Sequence, residues 1–150
     1  MSGILRKLAG TDRRSIGRSG EVVADILERG APFAALIRGM LDADPVIRMR
    51  SADAAEKVSA QHPGYLQPYA RTLIDVVAKS GQQEVRWHVA QMLPRLELTP
   101  AARKKAYTIL QEYLGDGSSI VRTFAMQALV DLAENDAPRR WAVRAAYPPA

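Results

Sequence analysis

The stretch Val85-Arg86-Trp87-His88-Val89-Ala90-Gln91-Met92-Leu93-Pro94-Arg95-Leu96 is written loosely three times in this 150-residue chain. Upstream it reads Ile47-Arg48-Met49-Arg50-Ser51-Ala52-Asp53-Ala54-Ala55-Glu56-Lys57-Val58. Downstream it reads Val121-Arg122-Thr123-Phe124-Ala125-Met126-Gln127-Ala128-Leu129-Val130-Asp131-Leu132. The three arginines stand 38 and 36 residues apart. A period of that length marks stacked helical hairpins, each unable to bury its apolar stripe alone.

Counted from its arginine, each copy is apolar or small at the positions one back and three, four, seven and ten ahead. This spacing draws one buried face on a helix. The positions five and nine ahead are mostly polar: Asp53/Lys57, Gln91/Arg95 and Gln127/Asp131. A second helix follows each of the first two copies, over Leu66 to Val77 and Ala102 to Tyr113. Ala70 aligns with Ala106, and Leu73-Ile74 with Ile109-Leu110. Phe33, Leu36, Ile37 and Met40 hold the same places one unit earlier.

This pattern resembles the HEAT repeat family over residues 20–145. An Asp several residues before a Val-Arg pair is a family feature, and Asp42 and Asp116 each lie six residues before an arginine. The middle copy has Ser80 there. Pro94 looks like the kinking proline of HEAT first helices. The resemblance implies an all-α fold, an α-solenoid of about three to four helical hairpins. It also implies a non-enzymatic scaffold or protein-interaction surface. The alternative it offers is a nucleic-acid-binding protein related to HEAT-like DNA-repair glycosylases. Those enzymes pair an aromatic residue with a catalytic carboxylate. The residues four past Trp87 and Trp141 are Gln91 and Ala145, where that chemistry needs an acid.

The boundaries follow turn chemistry. Residues 1–18 are basic and rich in Gly, Ser and Arg, and read as a flexible arm. Residues 19–150 read as the repeat domain, with units near 19–43, 44–80, 81–115 and 116–150. Gly30 ends a helix. Asp44-Pro45 and Thr99-Pro100 are cap-and-proline starts, and Ser118 or Ser119 caps the last clear copy. His62-Pro63-Gly64 separates the helices of one hairpin. Gly81 and Gly115 follow second helices, where a left-handed residue is expected.

The formal charge of +5 is concentrated at one end. Residues 1–18 carry +4, which leaves the repeat domain nearly neutral at +1. Nucleic-acid binding, if present, is therefore expected through the arm. The chain has no cysteine, which removes disulfides, thiolate metal sites and a Cys nucleophile. No signal peptide or membrane-length apolar run is read, and a cytoplasmic protein is expected. Its two histidines, His62 and His88, share no metal-ligand spacing, so neither a metal nor another cofactor is expected. Phosphate-loop, dinucleotide and nucleophile-elbow motifs are missing as well.

The candidate sites are surface residues. Arg48, Arg86 and Arg122 are expected to be structural, each bonding an acid or helix-end carbonyl of a neighbouring unit. Trp87 is a candidate anchor on the less buried side of its helix. Arg71 and Tyr107 fall in one outward row of the second helices, which line the inner surface of such stacks. Arg103, Lys104 and Lys105 form the sole basic triplet of the repeats. Trp141 lies in the final unit, whose apolar end predicts self-association or membership of a longer array.

Overall fold

A computed structural model describes residues 3–9 and 19–135. Among them are eight α-helices and no strand, so the fold is all-α. The helices are α1 (Gly3–Leu8), α2 (Ser19–Arg29), α3 (Ala34–Gly39), α4 (Pro45–Gln61), α5 (Ala70–Asp75), α6 (Gln83–Met92), α7 (Pro100–Tyr113) and α8 (Ser119–Glu134). Helices α2, α4, α6 and α8 pack each on the next. Helix α3 packs on α4, α5 on α7, and α7 on α8. One apolar core runs from Ile4 to Leu132, and Leu36, Leu73, Leu93 and Leu110 are fully buried in it.

The three arginine copies share one piece of local chemistry. In each, the residue six before the arginine uses its side chain to accept the backbone N–H two residues on. Asp42 holds Asp44 at 2.9 Å, Ser80 holds Gln82 at 3.2 Å and Asp116 holds Ser118 at 2.9 Å. That turn aims the residue's own carbonyl at the arginine. Arg48 Nη1 donates to Asp42 O at 2.7 Å, Arg86 Nη1 to Ser80 O at 3.2 Å, and Arg122 Nη1 to Asp116 O at 2.7 Å. Ser80 therefore does in the middle copy what the aspartates do in the others. The helix starts are capped as their sequence demands. Asp44 accepts from Val46 N at 2.8 Å, Thr99 from Ala102 N at 3.2 Å and Ser118 from Val121 N at 3.3 Å.

The structure corrects the sequence reading in four places. Gly3–Leu8, assigned to the flexible arm, is a helix with Ile4, Leu5 and Leu8 buried against α2, α3 and α4. Arg50, 2 % exposed on α4, donates to Leu8 O at 2.8 Å at the end of that helix. Residues 10–18 of the arm lie outside the described residues. The continuous helix expected over Leu66 to Val77 is broken instead. A 3-10 turn at Gln67–Tyr69 leads into α5, and a second one follows at Val77–Lys79. Val76 leaves helical geometry at φ −124°, in a segment rich in β-branched residues that are stiff at χ1. Helix α6 stops at Met92, and Leu93–Arg95 is a 3-10 turn. Pro94 lacks the N–H a continuing helix needs and clashes with the preceding turn. Finally, Gly30 alone among the described residues has a positive φ, at 69°, so Gly81 and Gly115 do not form the left-handed caps expected of them.

Candidate interaction surface

Two of the three arginines, Arg48 and Arg86, bridge copies, whereas Arg122 bonds the Asp116 carbonyl of its own loop, not a neighbouring unit as expected. Beyond its own loop, Arg48 Nε donates to Gln82 Oε1 at 2.8 Å, and Gln82 Nε2 donates in turn to Pro45 O at 2.9 Å. Arg86 grips Asp116 through Nε at 2.7 Å and Nη2 at 3.1 Å. That guanidinium, helped by the Ser118 amide, outweighs burial and holds the Asp116 carboxyl below the usual aspartate range. These side chains are used up in holding the helices together.

The position two past each of the first two arginines points the other way. Arg50 reaches back to α1, and His88 reaches back to α4. His88 is buried, contrary to the boundary position its repeat equivalents suggest. Its Nδ1 lies 2.6 Å from Glu84 O, so it must carry the proton there. Its Nε2 lies 3.6 Å from Asp53 Oδ1, and Lys57 Nζ lies 2.8 Å from the same carboxylate. Burial pushes the Asp53 carboxyl up, but its His88 and Lys57 neighbours hold it below the ordinary range. Arg95 completes this joint by donating to Glu56 O at 2.7 Å, Ser59 Oγ at 2.8 Å and Glu56 Oε2 at 2.8 Å.

The candidate partner-binding residues are not brought together. Tyr107 is 7 % exposed and belongs to the buried stripe Ala106, Tyr107, Leu110 and Tyr113 of α7, so the expected outward row of Arg71 and Tyr107 does not exist. Arg71 is the opposite case, with its side chain 94 % exposed and 3.9 Å from Asp75. The basic triplet splits: Arg103 is half-buried, while Lys104 and Lys105 face solvent. Trp87 is half-buried against the core edge, its ring 5.6 Å from that of His88. Trp141 lies outside the described residues.

Between α5 and α7 the chain forms a cleft of about 350 Å³. Ala70, Ile74, Leu98 and Ala102 give it an apolar floor, and Arg71, Asp75 and Lys105 stand among its walls. Lys105 Nζ lies 3.4 Å from Asp75 Oδ1 across the two helices. A two-way clamp closes one end, with Gln67 Nε2 donating to Glu97 O at 2.8 Å and Glu97 N donating to Gln67 Oε1 at 2.9 Å. Asp75, Leu98 and the Gln67–Glu97 clamp were not singled out from sequence. Residues 67 with 97, 75 with 105 and 86 with 116 are each bonded at a separation of 30 residues.

A second hollow of about 550 Å³ opens between the loops at 40–45 and 76–84. Arg48 and Gln82 form part of its wall, so its shape is tied to their bond. Exposed Leu41 and Val76 also border it. Among the described residues no group of three or more His, Asp or Glu side chains is placed to hold a metal ion. No helix there is long and apolar enough to cross a membrane. Comparison with known proteins returned no matching family model, no matching curated protein and no matching solved structure.

Proposed function

We propose that this chain is a protein-interaction module, an α-solenoid of HEAT-like hairpins that holds a peptide or helix in the cleft between α5 and α7. The observation that supports this reading is the make-up of that cleft. It has an apolar floor of Ala70, Ile74, Leu98 and Ala102, flanked by charges of both signs. An apolar strip flanked by mixed charge suits an amphipathic polypeptide, whose side chains bring both apolar area and either charge. A phosphate backbone selects an unbroken basic row, and Asp75 and Glu97 interrupt any such row here.

Peptides selected from a random display library on the intact protein test the proposal. Ala102→Trp, which fills the cleft, should weaken the selected peptides at least tenfold, about 1.4 kcal/mol. Ala43→Trp, in an exposed loop away from the cleft, should leave them unchanged. Peptides that bind the filled variant as tightly as the native chain would show that the cleft is not the site.

A further inference from the structure

The cleft between α5 and α7 has two electrically different ends. Its two walls run side by side in the same direction, with Gln67 bonded to Glu97 at one end and Asp75 to Lys105 at the other. Eight residues on each wall separate those bonds, about 12 Å at helical rise. Of the four charged side chains that line the cleft, Glu97 stands at the clamped end, and Arg71, Asp75 and Lys105 gather at the far end.

The far end holds more positive charge than negative. Arg71 Nε lies 3.9 Å from Asp75 Oδ2, and Lys105 Nζ lies 3.4 Å from Asp75 Oδ1. One carboxylate thus serves two cations, and among the described residues neither cation has a second acidic partner. Both reach into solvent, with 94 % of the Arg71 side chain and 62 % of the Lys105 side chain exposed. The apolar floor runs up to them, since Ile74 precedes Asp75 and Ala102 lies one helical turn before Lys105.

Resting on the reading of this cleft as a peptide site, we propose that its occupant is an acidic amphipathic peptide. One apolar side chain of the peptide lies on the floor at Ile74 and Ala102. An Asp or Glu within a turn of it sets its carboxylate between the Arg71 guanidinium and the Lys105 ammonium. That carboxylate supplies the second negative charge the two cations lack, and the planar fork of Arg71 can take it two-pronged. Glu97 repels a further acid at the clamped end, so the position of the acid fixes the direction in which the peptide lies. These charges stand in solvent, where an ion pair adds little affinity. Apolar burial therefore holds the peptide, and charge chooses between peptides.

Other occupants fit less well. A basic peptide would have to strip Asp75 from two cations that already hold it, and is otherwise left with Glu97. A nucleic acid would carry its phosphates past both Asp75 and Glu97.

Two display libraries of equal apolar content separate these cases. One is restricted to Asp and Glu at its charged positions and the other to Lys and Arg, and each is panned on the intact protein. The acidic library should supply the binders that Ala102→Trp blocks, and added salt should weaken them. Arg71→Glu with Lys105→Glu, both at exposed side chains, should weaken them about tenfold or more while the far-ultraviolet circular dichroism stays helical. Lys in place of the peptide's acid should restore binding to that double variant, which a damaged fold cannot do. Binders blocked by Ala102→Trp that come as readily from the basic library overturn the proposal and leave the peptide site standing. So do cleft binders that the double reversal leaves untouched. If Ala102→Trp blocks no binder from either library, the peptide site itself fails and the proposal goes with it.

Discussion

Arg86 on α6 and Asp116 in the loop before α8 form a two-pronged ion pair, with Nε–Oδ2 at 2.7 Å and Nη2–Oδ1 at 3.1 Å, both side chains mostly shielded from solvent. Its counterpart one copy earlier sets the guanidinium on a neutral amide, Arg48 to Gln82. In the copy after it, Arg122 is held through the Asp116 carbonyl. The three arginines thus occupy one register position with three grades of partner.

Stability should follow those grades. Hydrogen bonds to charged groups contribute ~1.5–3 kcal/mol, so Arg86→Ala should cost that much in urea unfolding. Arg48→Ala should cost less, and Arg122→Ala least. Arg86→Lys keeps the charge but loses the planar fork, and should recover only part of the loss. In a double-mutant cycle, Arg86→Ala and Asp116→Asn should be strongly non-additive. Equal costs at all three arginines would mean that the inter-helix partner contributes nothing.

Two core substitutions test the packing. Leu93 is fully buried beneath α8's neighbourhood, and Leu93→Ala should cost ~2–5 kcal/mol. Gly39 on α3 faces α4 so closely that an added Cβ would collide with the Ser51 hydroxyl and lie 2.8 Å from both Ser51 Cβ and Leu5 Cδ2. Gly39→Ala should therefore lose ~1–3 kcal/mol, the range for overpacking, despite alanine's better helix propensity. Unfolding midpoints unchanged by Gly39→Ala would show that α1 and α4 shift freely to make room.

Helix α1 should behave as part of the domain. Leu8 has no exposure, and Leu8→Ala should lower the stability of the whole chain by ~2–5 kcal/mol in a single cooperative transition. A separate early transition, with the rest unaffected, would show instead that Gly3–Leu8 docks as an independent appendage.

Which parts were legible from the sequence has a physical explanation. The arginine copies stood out because a buried helix face and a side chain that bonds its own loop both recur at fixed spacing. The Asp42, Ser80 and Asp116 position was visible for the same reason, although the equivalence of Ser80 needed the hydrogen bonds. Helix α1 was hidden because its six residues cannot hold a helix alone. Only the tertiary contacts of Ile4, Leu5 and Leu8 decide its state. The sequence sets Tyr107 in an outward row because an alignment of second helices assumes equal helices, whereas α5 is six residues long and α7 fourteen. The cleft walls depend on which side chains of two such unequal helices meet, and no single-helix periodicity carries that.

Acid should loosen the stack through its aspartates. Asp116 is held below the ordinary aspartate range chiefly by Arg86, and Asp25 chiefly by Lys7. Asp53 is lowered despite its burial, through His88 and Lys57. A carboxyl whose pKa is lower in the folded chain binds fewer protons there than in the unfolded chain. Its contribution is therefore complete above the unfolded value of about 4, and is lost as pH falls through the lower folded value. The melting temperature should be level from pH 7 to about 5 and then drop on further acidification. Asp116→Asn should lower the plateau and flatten part of the drop, because the amide cannot take up the proton. Arg86→Ala should flatten the same part, since Asp116 then titrates closer to its unfolded value. If Asp116→Asn lowers the plateau but leaves the acid limb as steep as in the native chain, the pH dependence belongs to other carboxyls, and the Arg86–Asp116 bond stabilises without linkage to protons.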